Sequence, residues 1–415
     1  MANAELDEET ESRLIQAINQ AEAGSLGGDT DSQLSSDRSL SIDYYLGRNV
    51  MPAPDGRSQV IDRTVFETIE WIKPSLQRIF ANGDDVVAVT PVGPEDEEPA
   101  KQEGQYLNHV LMKMNPWGSI CNTWFTDAML TKNAYLYIYR DMEQKVDYEK
   151  YEGQTRQGIA LLMQDGDTAI IDQKEYPSPD GEMEPVVGPD GQPQLTDMGI
   201  PAMQPLMLYD VTIRRTQKNP RYCLKPLPPE NCKISSNQDS FSAVDADYFE
   251  YYCDKTASDL KASGIDIDSI VNGMPNMAST EAQARDDYQE SSNAISTEAD
   301  DSRKLYRTRY IWIKCDIDQD GISEMVYCIR IGNEIVYWDR VSRVPVASIV
   351  PVPMPHRHMG LSVADLTFDI QDIKTAILRS GLDNIYLANQ PRHAVSSKVN
   401  LDDKIGRASC RERVS

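Results

Sequence analysis

The stretch "SVADLTFDIQDIKTAILRSGLDNIYLANQ", residues 362–390, decides how the chain is read. Leu366, Ile370, Ile373, Ile377, Leu382 and Ile385 recur at helical spacing and form one apolar stripe. Ser362 and Asp365 stand at capping-box positions, with Asp in place of the usual Glu or Gln. About 28 residues at about 1.5 Å each give a helix of about 42 Å. A helix this long, with a single apolar stripe, packs against copies of itself or against other long helices.

Upstream lies a β-rich region. "LYRTRYIWIKCDI", "EMVYCIRI" and "EIVYWDRV" read as three strands. The first two are joined by "DQDGIS" and the last two by "GN", a tight hairpin signal. "PLMLYDVTIRRT" and "RYCLKPL" add two strands, and "AYLYIYRDM" one with Tyr135, Tyr137 and Tyr139 on one face. "VVAVTPV" reads as a short strand ended by Pro91 and Pro94.

Helices dominate the first third. In "GRSQVIDRTVFETIEWIKPSLQRIF", residues 56–80, the stripe is Val65, Ile69, Ile72, Leu76 and Ile79. Pro74 removes one backbone donor, so a kink or break near Lys73 is expected, with Trp71 at the bend. Further helices run from Ser39 to Leu46, through Tyr106–Met114 and through Cys121–Met129. Helices and strands come in runs without regular alternation, which points to an α+β fold.

Composition sets limits. The 415 residues suffice for two or three domains. The acidic start "MANAELDEETESRL" argues against a secretory signal, and seven Cys without a CxxC pair read as free thiols. A net charge of -25 disfavours tight binding of nucleic acid through its phosphates. It is compatible with a protein that encloses DNA without gripping it. There is no GxxxxGK[ST] loop, HExxH or GxSxG, so no catalytic residue and no enzymatic activity is assigned.

One stretch reads as a site. In "DIDQDGISE", Asp316, Asp318 and Asp320, followed by Gly321, occupy positions 1, 3, 5 and 6 of a calcium loop, and Glu324 occupies position 9. Position 12 is Tyr327 instead of a bidentate Glu, and the flanks are strands. The alternatives are a weak calcium site and a plain hairpin turn. His356 and His358 lie two apart but lack an evident third ligand, so they read as connector residues.

The order of "SQVIDRTVFETIEWIKPSLQRIF", "PLPPENCKISSNQDSFSAVDADYFEYYCDKTASDLKASG", "DIDQDGISE" and "PHRHMGLSVADLTFDIQDIKTAILRSGLDNIYLANQPR" resembles that of tailed-bacteriophage portal proteins. The nearest type is the P22-like podovirus branch, and the resemblance covers most of residues 40–404. It implies a ring, usually of twelve subunits, at one capsid vertex, with a wing domain leading into a long stem helix. Phage DNA would pass through it. The terminase large subunit, capsid and scaffold proteins and head-tail adaptors would dock on it, with no membrane involved. By position, residues 1–38 are a mobile acidic segment and 39–355 the wing, with loop insertions at about 177–205 and 272–303. Residues 356–390 are the stem helix and 391–404 the start of a clip. Lys374 and Arg379 on the stem helix would touch DNA in the channel or pair with a neighbouring subunit.

Residues 405–415 resemble a translated sequencing adapter, so the chain is expected to be an N-terminal fragment of a virion protein assembled in the host cytoplasm. Two other readings stay open: an adaptor or minor capsid protein, and a calcium-dependent hydrolase or carbohydrate-binding protein motivated by "DIDQDGISE".

Overall fold

A computed structural model describes residues 8–28, 32–48, 51–81, 83, 85–163, 168–179, 181, 183–185, 203–265, 280–286 and 301–389. In chain order the elements are α1 (Glu8–Ala23), β1 (Ser25–Leu26), α2 (Ser32–Leu46), α3 (Thr64–Phe80), α4 (Glu97–His109) and α5 (Trp117–Thr131). Next come β2 (Ala134–Gln154), α6 (Arg156–Leu162), β3 (Thr168–Pro177), β4 (Met183–Pro185), β5 (Met203–Pro205), β6 (Met207–Leu227) and β7 (Cys232–Ser235). The last are β8 (Tyr248–Thr256), α7 (Ala257–Ala262), α8 (Thr280–Asp286), β9 (Leu305–Cys315), β10 (Glu324–Ile331), β11 (Glu334–Arg340), β12 (Val346–Ile349) and α9 (Val363–Asn389). The fold is α+β, with mixed helices and antiparallel strands.

The chain forms two compact units. The larger comprises residues 1–108, 116–137 and 225–415, and the smaller residues 109–115 and 138–224. In the larger unit a six-stranded sheet has the order β1-β7-β8-β9-β10-β11. Alternation along β9 sorts its two faces. Ile311 and Ile313 meet Leu14 and Ile18 of α1, together with Val326 and Cys328. Trp312 points the other way, into Tyr135, Phe249, Ile234 and Val346. The N-terminal segment read as mobile is therefore packed over residues 8–28: α1 covers the sheet and β1 extends it. A cluster of α2, α3, α5 and α9 residues forms a separate helical core around Ile42, Val65, Ile69, Phe125 and Ala364.

In the smaller unit β6 pairs antiparallel with β3, and β4 with β5. β6 is one strand of 21 residues through Asn219-Pro220, where two strands were expected. β4 and β5 fall inside the predicted 177–205 insertion, and α8 inside the 272–303 insertion. Most of the remainder of both, the whole of the expected clip start at 391–404 and the adapter-like tail lie outside the described residues.

Three sequence expectations meet a different outcome. Residues 86–92 form no strand. The Asn108 side chain of α4 takes the strand partner's place: it accepts from the Val86 and Val87 N–H groups at 2.8 and 2.9 Å and donates to the Val87 carbonyl at 2.8 Å. α3 continues through Pro74 without a break. Its Val65 and Ile69 are buried and Ile72 and Leu76 are half-buried, but Trp71 is 84% exposed and is no core anchor.

Candidate functional site

The long helix is built inside out. Ser362 and Asp365 form the expected capping box: the Asp365 N–H donates to Ser362 Oγ at 2.9 Å, and the Ser362 N–H donates to Asp365 Oδ2 at 2.8 Å. Beyond the first turn the buried side chains are Gln371, Thr375 and Arg379. Leu366, Ile370, Ile373, Ile377 and Ile385 are all exposed, Ile377 by 67%. An amphipathic helix on a protein surface ordinarily does the reverse.

The cause is a non-helical strap, residues 51–63, that runs antiparallel to α9 and leads into the first turn of α3. Gln371 Nε2 donates to the Tyr44 carbonyl at 3.0 Å, and its Oε1 accepts the Val65 N–H at 2.9 Å. One turn on, Thr375 Oγ1 accepts the Asp62 N–H at 3.1 Å. Arg379 donates to the carbonyls of Val60 and Met51 at 2.8 and 2.6 Å. Asp383 accepts the Ser58 N–H at 2.8 Å and faces Arg57 at 3.5 Å.

The register has a simple physical basis. Four helical residues rise about 6 Å, and two extended residues advance about 6.6 Å. From Thr375 on, polar side chains at four-residue steps therefore meet every second residue of the strap, Asp62, Val60 and Ser58, whose backbone groups have no sheet partner and must be satisfied when covered. Tyr44 joins the same face. Its hydroxyl donates to Asp372 at 2.9 Å, and burial together with that carboxylate pushes its pKa up to about 12.

The connector into α9 is fixed by a second polar chain. Arg38 lies buried between the Thr131 and Pro229 carbonyls and the Asn133 side chain. Asn133 Nδ2 donates to the Tyr135 hydroxyl at 2.7 Å, and that hydroxyl lies 3.0 Å from His358 Nε2. His358 Nδ1 is 3.0 Å from the Ser240 carbonyl, which only accepts, so Nδ1 carries the proton and Nε2 accepts from Tyr135. Burial holds the imidazole neutral, with its pKa lowered to about 4. His356 is exposed and takes no part.

Beside this chain sits a buried ion cluster. Arg38 faces Glu281 of α8 at 3.5 Å, and Arg285 of α8 faces Asp127 of α5 and Glu230 at 3.0 and 3.3 Å. Burial pushes the Glu281 carboxyl up to about 7 despite Arg38, and raises Asp127 as well.

The sequence-derived site residues are placed as follows. Asp316, Asp318 and Asp320 come together, each offering an oxygen within 4.8 Å of the others. The loop is held by its own backbone: the Gln319 and Gly321 N–H groups donate to Asp316 at 2.7 and 2.9 Å. Glu324 is not part of this group. It accepts from Arg340 at 3.1 Å, and Asp318 faces the same guanidinium at 3.4 Å. Lys374 is exposed on α9. Arg379, expected at a channel or subunit contact, is instead 8% exposed and spends its donors on its own chain's carbonyls. The polar ladder was missed because its signal, Gln371, Thr375, Arg379 and Asp383 at four-residue steps, looks like the wet face of an ordinary helix.

No curated protein matches the chain. The family model described as phage SU10 portal protein matches residues 14–408, all but the first 13 and last 7 residues of the chain. The chain belongs to the phage SU10 portal protein family.

Proposed function

We propose that this portal-family chain is the subunit of a dodecameric ring at one capsid vertex, through which phage DNA is packaged and ejected. The observation that carries the reading is the inverted α9. A monomer gains nothing by exposing Leu366, Ile370, Ile373, Ile377 and Ile385 on one helix while burying Gln371, Thr375 and Arg379 on the other side. Contiguous bare apolar surface of this kind marks an interaction face, and a ring supplies a neighbour for every copy.

In this reading residues 39–355 are the wing, α9 with its connector (356–390) is the stem, and 391–404 begins the clip. The terminase large subunit and the head-tail adaptors dock on the clip side, and capsid and scaffold proteins on the wing. The order of the motifs also resembles that of the P22-like branch. Lys374 belongs to a subunit contact rather than to DNA, because it flanks the apolar stripe. The acidic balance of -25 keeps the duplex from adhering to the conduit. No described helix is long and apolar enough to cross a membrane. The Asp316–Asp318–Asp320 loop is a weak calcium site that stiffens the β9–β10 hairpin.

Mass measurement of the full chain in solution, with negative-stain microscopy, tests the reading. Rings of portal size support it. A chain that stays monomeric at every concentration overturns it.

A further inference from the structure

Among the described residues, the two longest helices of the larger unit each carry an exposed apolar face. One is the α9 stripe. The other is on α3, where Trp71, Pro74 and Arg78 recur at steps of three and four and so share one face. That face lies opposite the fully buried Val65 and Ile69. It borders a groove of about 490 Å³ lined by Pro74, Gln77, Arg78, Ala81 and Gly118. A Cβ at Gly118 would meet no atom within 4 Å, so the α5 side of the groove is open. Ile79, 70% exposed, extends the apolar surface toward the end of α3.

A ring made by rotation has head-to-tail contacts, in which each copy offers two different patches and neither meets itself. Trp71 is a rigid aromatic of the kind that anchors interfaces. The α9 stripe is aliphatic and offers a surface for it. The charges at the edges are complementary: exposed Asp369 and Lys374 flank the stripe, and exposed Glu67 and Arg78 flank Trp71. An antiparallel crossing brings Asp369 toward Arg78 and Lys374 toward Glu67, whereas a parallel crossing sets like charges together.

Resting on the ring reading above, we infer that the α9 stripe of each copy packs on the Trp71–Pro74–Arg78 face of α3 in the neighbouring copy.

Two measurements on the full chain test it. In the first, chains carrying only Trp71→Cys are co-assembled with chains carrying only Ile377→Cys and treated with a short bismaleimide. A linked dimer is expected in the mixture and at background from either chain alone. Linking of Ile377→Cys chains to one another, or rings with no link in the mixture, overturns the inference. In the second, Asp369→Arg is expected to lower the ring fraction several-fold, and Arg78→Asp added to it is expected to restore the rings. A double variant no better than the single one overturns the pairing. Unsubstituted chain that forms no rings fails the ring reading itself, which separates the two failures.

Discussion

Gln371 of α9 accepts the Val65 N–H at 2.9 Å and so caps the start of α3 from 306 residues away. The first backbone donors of a helix have no partner within it, and this one is satisfied by a side chain of the long helix. The same amide donates to the Tyr44 carbonyl at the end of α2. One side-chain amide of α9 thus ties backbone groups of α2 and α3 to the long helix.

Replacing Gln371 by Leu keeps the volume but strands a buried N–H and a buried carbonyl. A loss of about 1–3 kcal/mol is expected, read by chemical denaturation. Gln371→Glu keeps the acceptor for Val65 but turns a carboxylate oxygen on the Tyr44 carbonyl, so it is expected to destabilise as well. A variant as stable as the parent would mean that the ladder does not hold α9.

The connector into α9 allows no added atom at Gly360. A Cβ there would lie 2.2 Å from the Val352 carbonyl oxygen, beside the bridge between Val352 and Leu361. Gly360→Ala is expected to cost about 1–3 kcal/mol through forced displacement. Thermal melting with unchanged far-UV dichroism at low temperature is the check.

Glu281 gives stability a pH dependence of defined sign. It is faced by Arg38, Arg285, Glu230 and the Cys232 thiol, and Arg285 also faces Asp127. Its folded pKa of about 7 lies above the ordinary carboxyl value, so the folded chain holds the proton over a window in which the unfolded chain has released it. Stability therefore falls as pH rises from about 4.5 to about 7 and levels off above. The effect is at most about 3 kcal/mol. Glu281→Gln is expected to flatten this part of the profile, and an unchanged slope would clear Glu281 of the role.

Calcium is expected to stabilise the chain by about 1 kcal/mol at about fivefold excess over a millimolar dissociation constant. Asp318→Asn should remove the gain, read as a melting shift. Equal behaviour with and without calcium would leave the loop a hairpin turn stitched by Asp316.

Much of this was legible in the sequence, for physical reasons that differ by element. Strands β9, β10 and β11 were readable because alternating apolar residues and the Gly332-Asn333 turn act locally. The capping box at Ser362 was readable for the same reason. The existence of α9 followed from its period, but its orientation did not. Periodicity says that Ile373 and Lys374 lie on different faces and does not say which face meets the protein. That choice was made by the strap, whose backbone groups select Gln371, Thr375 and Arg379 over the aliphatic side. For Trp71 the residue type pointed to a core or an interface anchor without choosing between them, and the opposite face of α3 took the core. The calcium loop was half legible, because the Asp spacing placed three carboxylates together while Arg340, distant in sequence, drew Glu324 away.

The most direct measurement is the mass distribution of the full chain beside that of an Ile373→Asp, Ile377→Asp variant, with thermal melts of both. Because these side chains face solvent in the isolated chain, the variant is expected to melt like the parent at concentrations too low for assembly. It is also expected to appear as monomer where the parent forms rings. A parent without rings, or a variant that still assembles, would contradict the role given to the outer face of α9.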